Sequence, residues 1–397
     1  MRWPIAPIGT VIRSSQYGLS LPADPDGTLP IIGMRDIQDG RVSINPEVCV
    51  TLSDSEANPY LISDGDILIN RTNSPDLVGK AGIYRGTGKA VFASYLVRLH
   101  LDREKVDADY VIQVLAGEHG QRRIRQLATR AISQANLNPT TFKDHFLIPL
   151  PRLDEQVCIR DVLLSWDIAI EKISRLITLR SQQKAWLLSN VMTLIGQETK
   201  LADFLTLRSR PVPKPSQPYW ALGIRSHGKG TFQRFVEDPN SVDMDELYAV
   251  KRDDIIVNIT FAWEGAIAAV KAEDEHCLVS HRFPSYEVDC DKADPAFVKY
   301  ILNCKPFFSQ LALISPGGAG RNRVLNKKDF LKLTVSLPSL AEQKRLAITM
   351  IEMDVLVERE RELLATLKAQ KRGLMQKLLT GQWRVPLSVS EASEVRA

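Results

Sequence analysis

Along two stretches of the chain an apolar residue recurs at alternating steps of four and three. The first series is Ile159, Leu163, Trp166, Ile170, Ile173, Ile177, Arg180, Lys184, Leu187 and Val191. The second is Leu346, Met350, Met353, Val357, Glu360, Leu364, Leu367, Lys371, Leu374 and Leu378. Every member of one lies 187 residues from its counterpart, as Leu163 does from Met350 (350 − 163 = 187). A seam of this period, held over more than four heptads, predicts two long helices that pack as a coiled coil. Each would run about 40 residues, or about 60 Å. Lys184 and Lys371 break both seams at the same step, Arg180 only the first and Glu360 only the second. Polar seam residues lower stability but fix register and partner. Antiparallel packing would bring Glu360 level with Arg180 or Lys184. The helices open on related motifs, Leu150-Pro151-Arg152-Leu153-Asp154-Glu155-Gln156 and Leu337-Pro338-Ser339-Leu340-Ala341-Glu342-Gln343. Asp154 is the expected N-cap of the first and Gly196 its C-cap. The second is expected to reach Gly381.

Outside these stretches the pattern shortens. Residues 48–52, 66–70, 81–84 and 95–101 are β-branched or apolar runs bounded by turn residues and are predicted strands. A helix is predicted from 110 to 116, continuing through 121–129, with Ile124 and Leu127 facing inward. Residues 131–134 read as loop and 142–150 as an extended segment. Further on, Pro211, Pro213, Pro215 and Pro218 mark a loop. Strands are predicted at 255–259, 266–270 and 283–288, and helices at 295–302 and 306–313. The two sections correspond. Ile32-Gly33-Met34-Arg35 matches Leu222-Gly223-Ile224-Arg225, Asp66-Ile67-Leu68-Ile69-Asn70 matches Asp254-Ile255-Ile256-Val257-Asn258, and Leu137-Asn138 matches Leu325-Asn326. The chain is thus read as one unit used twice. Its fold class is α+β, with globular parts at 1–149 and 197–336, long helices within 150–196 and 337–382, and a polar tail at 383–397.

Composition excludes some classes. The chain has 397 residues, 44% hydrophobic and 25% charged, ordinary for globular protein. No apolar run is long enough to span a membrane. The five cysteines form no Cys-x-x-Cys pair, which fits reduced thiols and a cytoplasmic location. Net charge is only +4, but the cations are clustered. Residues 119–143, 204–236 and 295–328 contain no acid. Two such windows lie just upstream of the long helices, at matching places in the repeat. That arrangement suggests paired contacts to a polyanion, since Lys and Arg bind phosphates by releasing counterions.

Catalytic signatures are missing. The glycine-rich segment at 316–320 has no following Gly-Lys-Ser/Thr and is not a P-loop. Asp66 and Asp254 fall at equivalent places before strands, yet no acid-x-Lys constellation accompanies them in both halves, and turn capping is their common role. The histidines have no Ser, Cys or Asp partner at a recognisable spacing. His276, Cys277, His281 and Cys290 match no metal template. Nothing calls for a bound cofactor.

Tandem modules, two rods and no catalytic signature suggest a protein that reads two separated sites. The sequence resembles the specificity (S) subunits of type I restriction-modification systems across essentially its full length. The carrying motifs are Leu-Pro-x-Leu-x-Glu-Gln, with Asp167 or Asp354 eleven residues past the Gln, and the ends Lys184-x-x-Leu187 and Lys371-x-x-Leu374-Met375-Gln376-Lys377-Leu378-Leu379-Thr380-Gly381. Gly65-Asp66-Ile67-Leu68 and Ile132-Ser133 are weaker matches. The second half departs from both, with Asp253-Asp254-Ile255 and its glycine-rich segment.

The resemblance implies two target-recognition domains reading a split double-stranded DNA sequence, held apart by an antiparallel coiled coil with pseudo-two-fold symmetry. It implies two methyltransferase (M) subunits, which bind their own S-adenosylmethionine and methylate adenine N6, and two restriction (R) motor-nuclease subunits as partners, with no catalysis in this chain. Arg reads guanine and Asn or Gln reads adenine in the major groove. The candidate DNA-binding residues are accordingly Arg122, Arg123, Arg125, Arg130, Gln134 and Asn136 in the first domain. In the second they are Arg225, Lys229, Arg321, Asn322, Arg323 and Lys327. The competing readings are a coiled-coil scaffold that touches no DNA and a free-standing nuclease.

Overall fold

The computed structural model describes residues 3–130, 134–194, 196–314 and 324–386. The chain divides into two compact units, Met1–Ile173 with Leu363–Ala397 and Ser174–Glu362. Each unit therefore takes one half of each long helix.

The first unit is built on a six-stranded sheet ordered Ile12–Tyr17, Leu96–Leu101, Ile67–Asn70, Ala81–Tyr84, Arg41–Val42, Ile37–Gln38. Its central pairs are antiparallel, with Leu99 opposite Ile67 and Ile67 opposite Ile83. Successive strand side chains point to opposite faces, so Ile67 and Ile69 enter the core beneath the helices while Leu68 enters a second cluster with Ile32, Tyr84 and Phe92. Covered on both faces, the strand is apolar without alternation. The unit closes with Ile5–Pro7 paired to Leu147–Pro149, just before the first long helix.

The second unit repeats the central order with four antiparallel strands, Leu205–Arg208, Ser285–Val288, Ile255–Val257 and Ile267–Ala269. Ile255 and Val257 face the helical core, and Ile256 joins Leu222, Ala268 and Val279 on the other side. Gln197–Lys200 pairs with Thr334–Leu337 before the second long helix, as in the first unit. What differs is the outer sheet. Here it has five strands and ends in a hairpin of Tyr219–Ile224 and Thr231–Val236.

Several local expectations are corrected. Gly117, with φ −63° and ψ 153°, splits the predicted helix into Ala108–Ala116 and Glu118–Leu127. The segment expected to be extended from 142 begins inside a helix, Pro139–His145, because Asn138 caps Thr140 and Thr141 N–H and Pro139 opens the first turn. Part of the proline loop is an edge strand, Pro211–Pro213, where a missing N–H is tolerated. The outer strand predicted at 48–52 is only Cys49–Val50.

The long helices run Leu153–Leu194 and Leu340–Leu378. Asp154 lies inside the first turn and is not the N-cap. In the second copy Ser339 caps, its hydroxyl accepting from Glu342 N–H at 3.4 Å while Glu342 accepts from Ser339 N–H at 3.2 Å. Gly196, at φ 122°, follows the first helix as expected. The second stops short of Gly381, whose left-handed φ of 72° turns the chain against Trp3. Every seam position named above whose side chain is described is buried or half-buried. In the first unit Ile159 and Leu163 share a core with Leu374 and Leu378, and Lys371 meets Asp167 at 2.6 Å. In the second, Arg180 meets Glu360 at 2.6 Å and Lys184 meets Asp354. Within each unit, rising numbers on one helix face falling numbers on the other. The contacts fit an antiparallel coiled coil, and Glu360 is level with Arg180.

Candidate nucleic-acid interface

The motif glutamine sets each globular part on its rod. Gln156 is fully buried; its Oε1 accepts from Asp107 N–H at 2.9 Å, and its Nε2 donates to Lys105 O at 3.2 Å and Pro151 O at 2.9 Å. Gln343 does the same to Asp294 N–H, Lys292 O and Pro338 O, at 2.8, 3.2 and 2.9 Å. The captured residue is in each case a helix N-cap, Asp107 receiving Tyr110 N–H and Asp294 receiving Phe297 N–H at 2.9 Å. A second tie lies further along each rod. Asp167 accepts from Gln113 Nε2 at 2.9 Å while holding Lys371. Asp354 accepts from Tyr300 Oη at 2.8 Å while holding Lys184, whose ammonium lies 4.9 Å from the Tyr300 ring centre. Burial, then the Asp354 carboxylate, push the Tyr300 phenol well above its ordinary pKa.

Asp66 and Asp254 are turn caps. Asp66 accepts from Ser63 N–H at 2.9 Å and Asp254 from Lys251 N–H at 3.0 Å. Each also meets an arginine, Arg98 or Arg210.

In the first unit the candidate cations occupy two places. Helix Glu118–Leu127 buries Ile124 and carries Arg122, Arg123 and Arg125. Arg122 is paired with Glu118 at 3.2 Å, an acid just outside the acid-free window, and Arg125 reaches only Asp76 O at 3.5 Å. Arg130, Gln134 and Asn136 lie on or beside a small antiparallel ribbon, Thr129–Arg130 on Ala135–Asn136 on Thr72–Asn73, and all three are exposed. Asn136 Oδ1 accepts from Thr72 Oγ1 at 2.6 Å.

The sequence reading missed Arg71, which enters the ribbon from the central sheet. Its guanidinium lies 5.0 Å from the ring centre of half-exposed Tyr17. Thr129 lies 58 residues past position 71 (129 − 71 = 58), and the bond from Leu137 N–H to Arg71 O ties the two segments together.

In the second unit, three cations of the 204–236 window are engaged. Arg208 pairs with Glu287 at 2.5 Å, Arg210 with Asp254, and Lys214 donates to Val242 O. Arg225, Lys229 and Arg234, all exposed, have no carboxylate partner among the described residues. They lie on or beside the hairpin of Tyr219–Ile224 and Thr231–Val236. His227, Gly228 and Gly230 take positive φ at its tip and present Lys229. Arg225 donates to Thr231 O at 2.7 Å and stacks 5.0 Å from the Phe232 ring centre. Phe232 covers Gly223, where an added Cβ would come within 2.4 Å of the ring. Trp220 and Phe235, both partly exposed, pack at 5.0 Å on the same hairpin. Lys327 is half-buried and opens helix Lys327–Phe330, its carbonyl accepting from Tyr286 Oη at 3.3 Å. Arg321, Asn322 and Arg323, with the glycine-rich segment, lie outside the described residues.

The arrangement can do one kind of chemistry well: fork-shaped cationic donors and exposed ring faces suit phosphates and nucleobases. Residues 197–369 match the family model of the type I restriction modification DNA specificity domain. The chain is 24% identical to the protein named as the type I restriction enzyme MjaX specificity subunit of Methanocaldococcus jannaschii, over 96% of this chain and 94% of that one. It is 28% identical to the StySPI specificity subunit of Salmonella potsdam over 43% of this chain and 38% of that protein. In fold it is similar to the S subunit of the type I restriction-modification system of M. genitalium, with a TM-score of 0.59 at 15% identity over 96% of each chain.

Proposed function

We propose that the chain, which is similar along most of its length to type I restriction enzyme specificity subunits, is the non-catalytic DNA-reading subunit of such a complex. Residues 1–149 and 197–336 are its two target-recognition domains, each reading one half of a split double-stranded sequence. Helices within 150–196 and 337–382 form the spacer, and 383–397 are a tail. The observation that carries this reading is the duplicated joint. Gln156 and Gln343 make the same three bonds, and Asp167–Lys371 and Lys184–Asp354 are the same ion pair, 187 residues apart (343 − 156 = 187; 354 − 167 = 187). A protein that mounts two similar globular parts through the same joint, once in each half of the chain, is suited to carry two readers. Half-sites about one helical turn apart, about 34 Å, lie on one face of the duplex.

In this reading Arg122, Arg123, Arg125, Arg130, Gln134 and Asn136 contact one half-site. Arg225, Lys229, Arg321, Asn322, Arg323 and Lys327 contact the other. Many of these are phosphate contacts, which position without specifying. Arg122, already neutralised by Glu118, contributes least. Two methyltransferase subunits dock along the rods, where Ile168, Leu179, Trp186, Ile348 and Val355 leave apolar surface exposed, and two motor-nuclease subunits complete the restriction complex. A scaffold that touches no DNA leaves the unpaired guanidinium groups and exposed rings unexplained.

The test is methylome sequencing of cells carrying this chain with its neighbouring methyltransferase. The expected result is a bipartite motif with N6-methyladenine in each half. Methylation at a single continuous motif, or none that depends on this chain, overturns the reading. Within such a system, replacing Arg321 and Arg323 by alanine weakens recognition of the second domain's half-site only.

A further inference from the structure

Arg71 is held in place by the fold of the first unit and has no carboxylate partner among the described residues. Its backbone is held from both sides, its N–H donating to Tyr95 O at 2.9 Å and its carbonyl accepting from Leu137 N–H at 2.7 Å. Its guanidinium is stacked on Tyr17, and among the described residues it has no carboxylate partner and no side-chain hydrogen bond. Nε of Arg71 and both amide atoms of fully buried Asn70 are buried without partners among the described residues. Buried polar groups are normally satisfied, so this pair of residues is not arranged for stability. The next two residues, Thr72 and Asn73, form the strand that carries Ala135 and Asn136. The backbone of Arg71 therefore leads directly into the ribbon that carries Arg130 and Asn136.

The repeat supplies a contrast. The bond from Leu137 to Arg71 O returns in the second unit as one from Leu325 N–H to Ile259 O, at 2.8 Å. The matching residue there is apolar. The second unit places its stacked, carboxylate-free arginine elsewhere, Arg225 on Phe232, on a hairpin strand. The scaffold positions are shared and the arginine–ring pairs are not, which is what two readers of different sequences require.

Resting on the DNA-reading function proposed above, we infer that Arg71 is a specificity-determining residue of the first domain. It reads a guanine through O6 and N7, with Tyr17 holding the plane of the fork. A flat, bidentate donor held by a ring matches the guanine major-groove edge, and lysine cannot reproduce it. The test uses the full chain with its neighbouring methyltransferase and compares the native protein with Arg71→Ala and Arg71→Lys. The readouts are methylome sequencing and methylation rates on duplexes changed one base pair at a time. Both variants should lose roughly 5- to 150-fold of the discrimination at one guanine of one half-site and leave the other half-site unchanged. Arg71→Lys, which keeps the charge, serves where Arg71→Ala fails to assemble. Unchanged discrimination, or a half-site without guanine, overturns the inference. So does uniform weakening on every duplex that Arg71→Lys restores, which marks a phosphate contact. A native complex without a bipartite motif fails earlier and overturns the functional reading itself.

Discussion

Replacing Gln156 by alanine removes one acceptor and two donors at once. Asp107 N–H, Lys105 O and Pro151 O are left without a partner. An orphaned buried polar group costs roughly 1–3 kcal/mol. The bond to Pro151 is fully buried and the other two are half-buried, where water recovers part of the loss. The expected cost is therefore about 2–4 kcal/mol, a large share of the roughly 5–15 kcal/mol that holds a domain together. Because Gln343 makes the same bonds, Gln343→Ala should cost the same in the other unit. Native-state hydrogen exchange separates the two. Gln156→Ala should speed exchange in helix Ala108–Ala116 by about 30- to 1000-fold and leave Pro295–Ile301 near its native rate, and Gln343→Ala should do the reverse. A loss below about 1 kcal/mol, or equal acceleration in both helices, would refute the view that each glutamine seats its own globular part.

Asp167 and Lys371 are 23% and 15% exposed, so a double-mutant cycle should return about 1–2 kcal/mol of coupling. Lys184 with Asp354, the latter 44% exposed, should return less because solvent screens it. Equal couplings in the two cycles would contradict that ranking. Gly79 sits at φ +77° with an added Cβ only 2.0 Å from Ile124 Cγ2. Gly79→Ala should cost about 2–4 kcal/mol by denaturation, and Ile124→Ala in the same chain should return part of it. Burial pushes the Asp274 carboxyl up, but hydrogen bonds from Gln233, Thr231 and Lys271 N–H outweigh it and hold its pKa below the ordinary 3.8. A lowered folded pKa stabilises above the unfolded value and is lost as pH falls through the folded one. The hairpin bearing Thr231 and Gln233 should therefore loosen only below about pH 3.8. Asp274→Asn should remove that acid dependence, which amide exchange across a pH series would reveal.

Much of this protein was legible from sequence where the signal is periodic or local. The four-three seam located both rods to within a few residues, and antiparallel packing left Glu360 level with Arg180 or Lys184, of which the structure pairs it with Arg180. The turn-capping role of Asp66 and Asp254 was readable because an Asx turn closes over three residues. Where a competing local signal was overlooked, the reading failed. Asn138-Pro139 starts a helix that apolar content had suggested was strand, and Gly117 breaks one that periodicity had carried through.

The repeat and the rods are legible along the chain, since heptads, caps and turns are written within a few residues, whereas the bonds of Gln156 and Gln343 reach 49 residues back to Asp107 and Asp294. Which cations remain available is settled by packing between distant segments. Arg208 and Arg210 look free along the chain and are neutralised by Glu287 and Asp254, while Arg71, unremarkable in sequence, is left stacked on Tyr17 with no carboxylate partner among the described residues. Charge pairing acts across space, between strands joined by register and not by proximity in sequence.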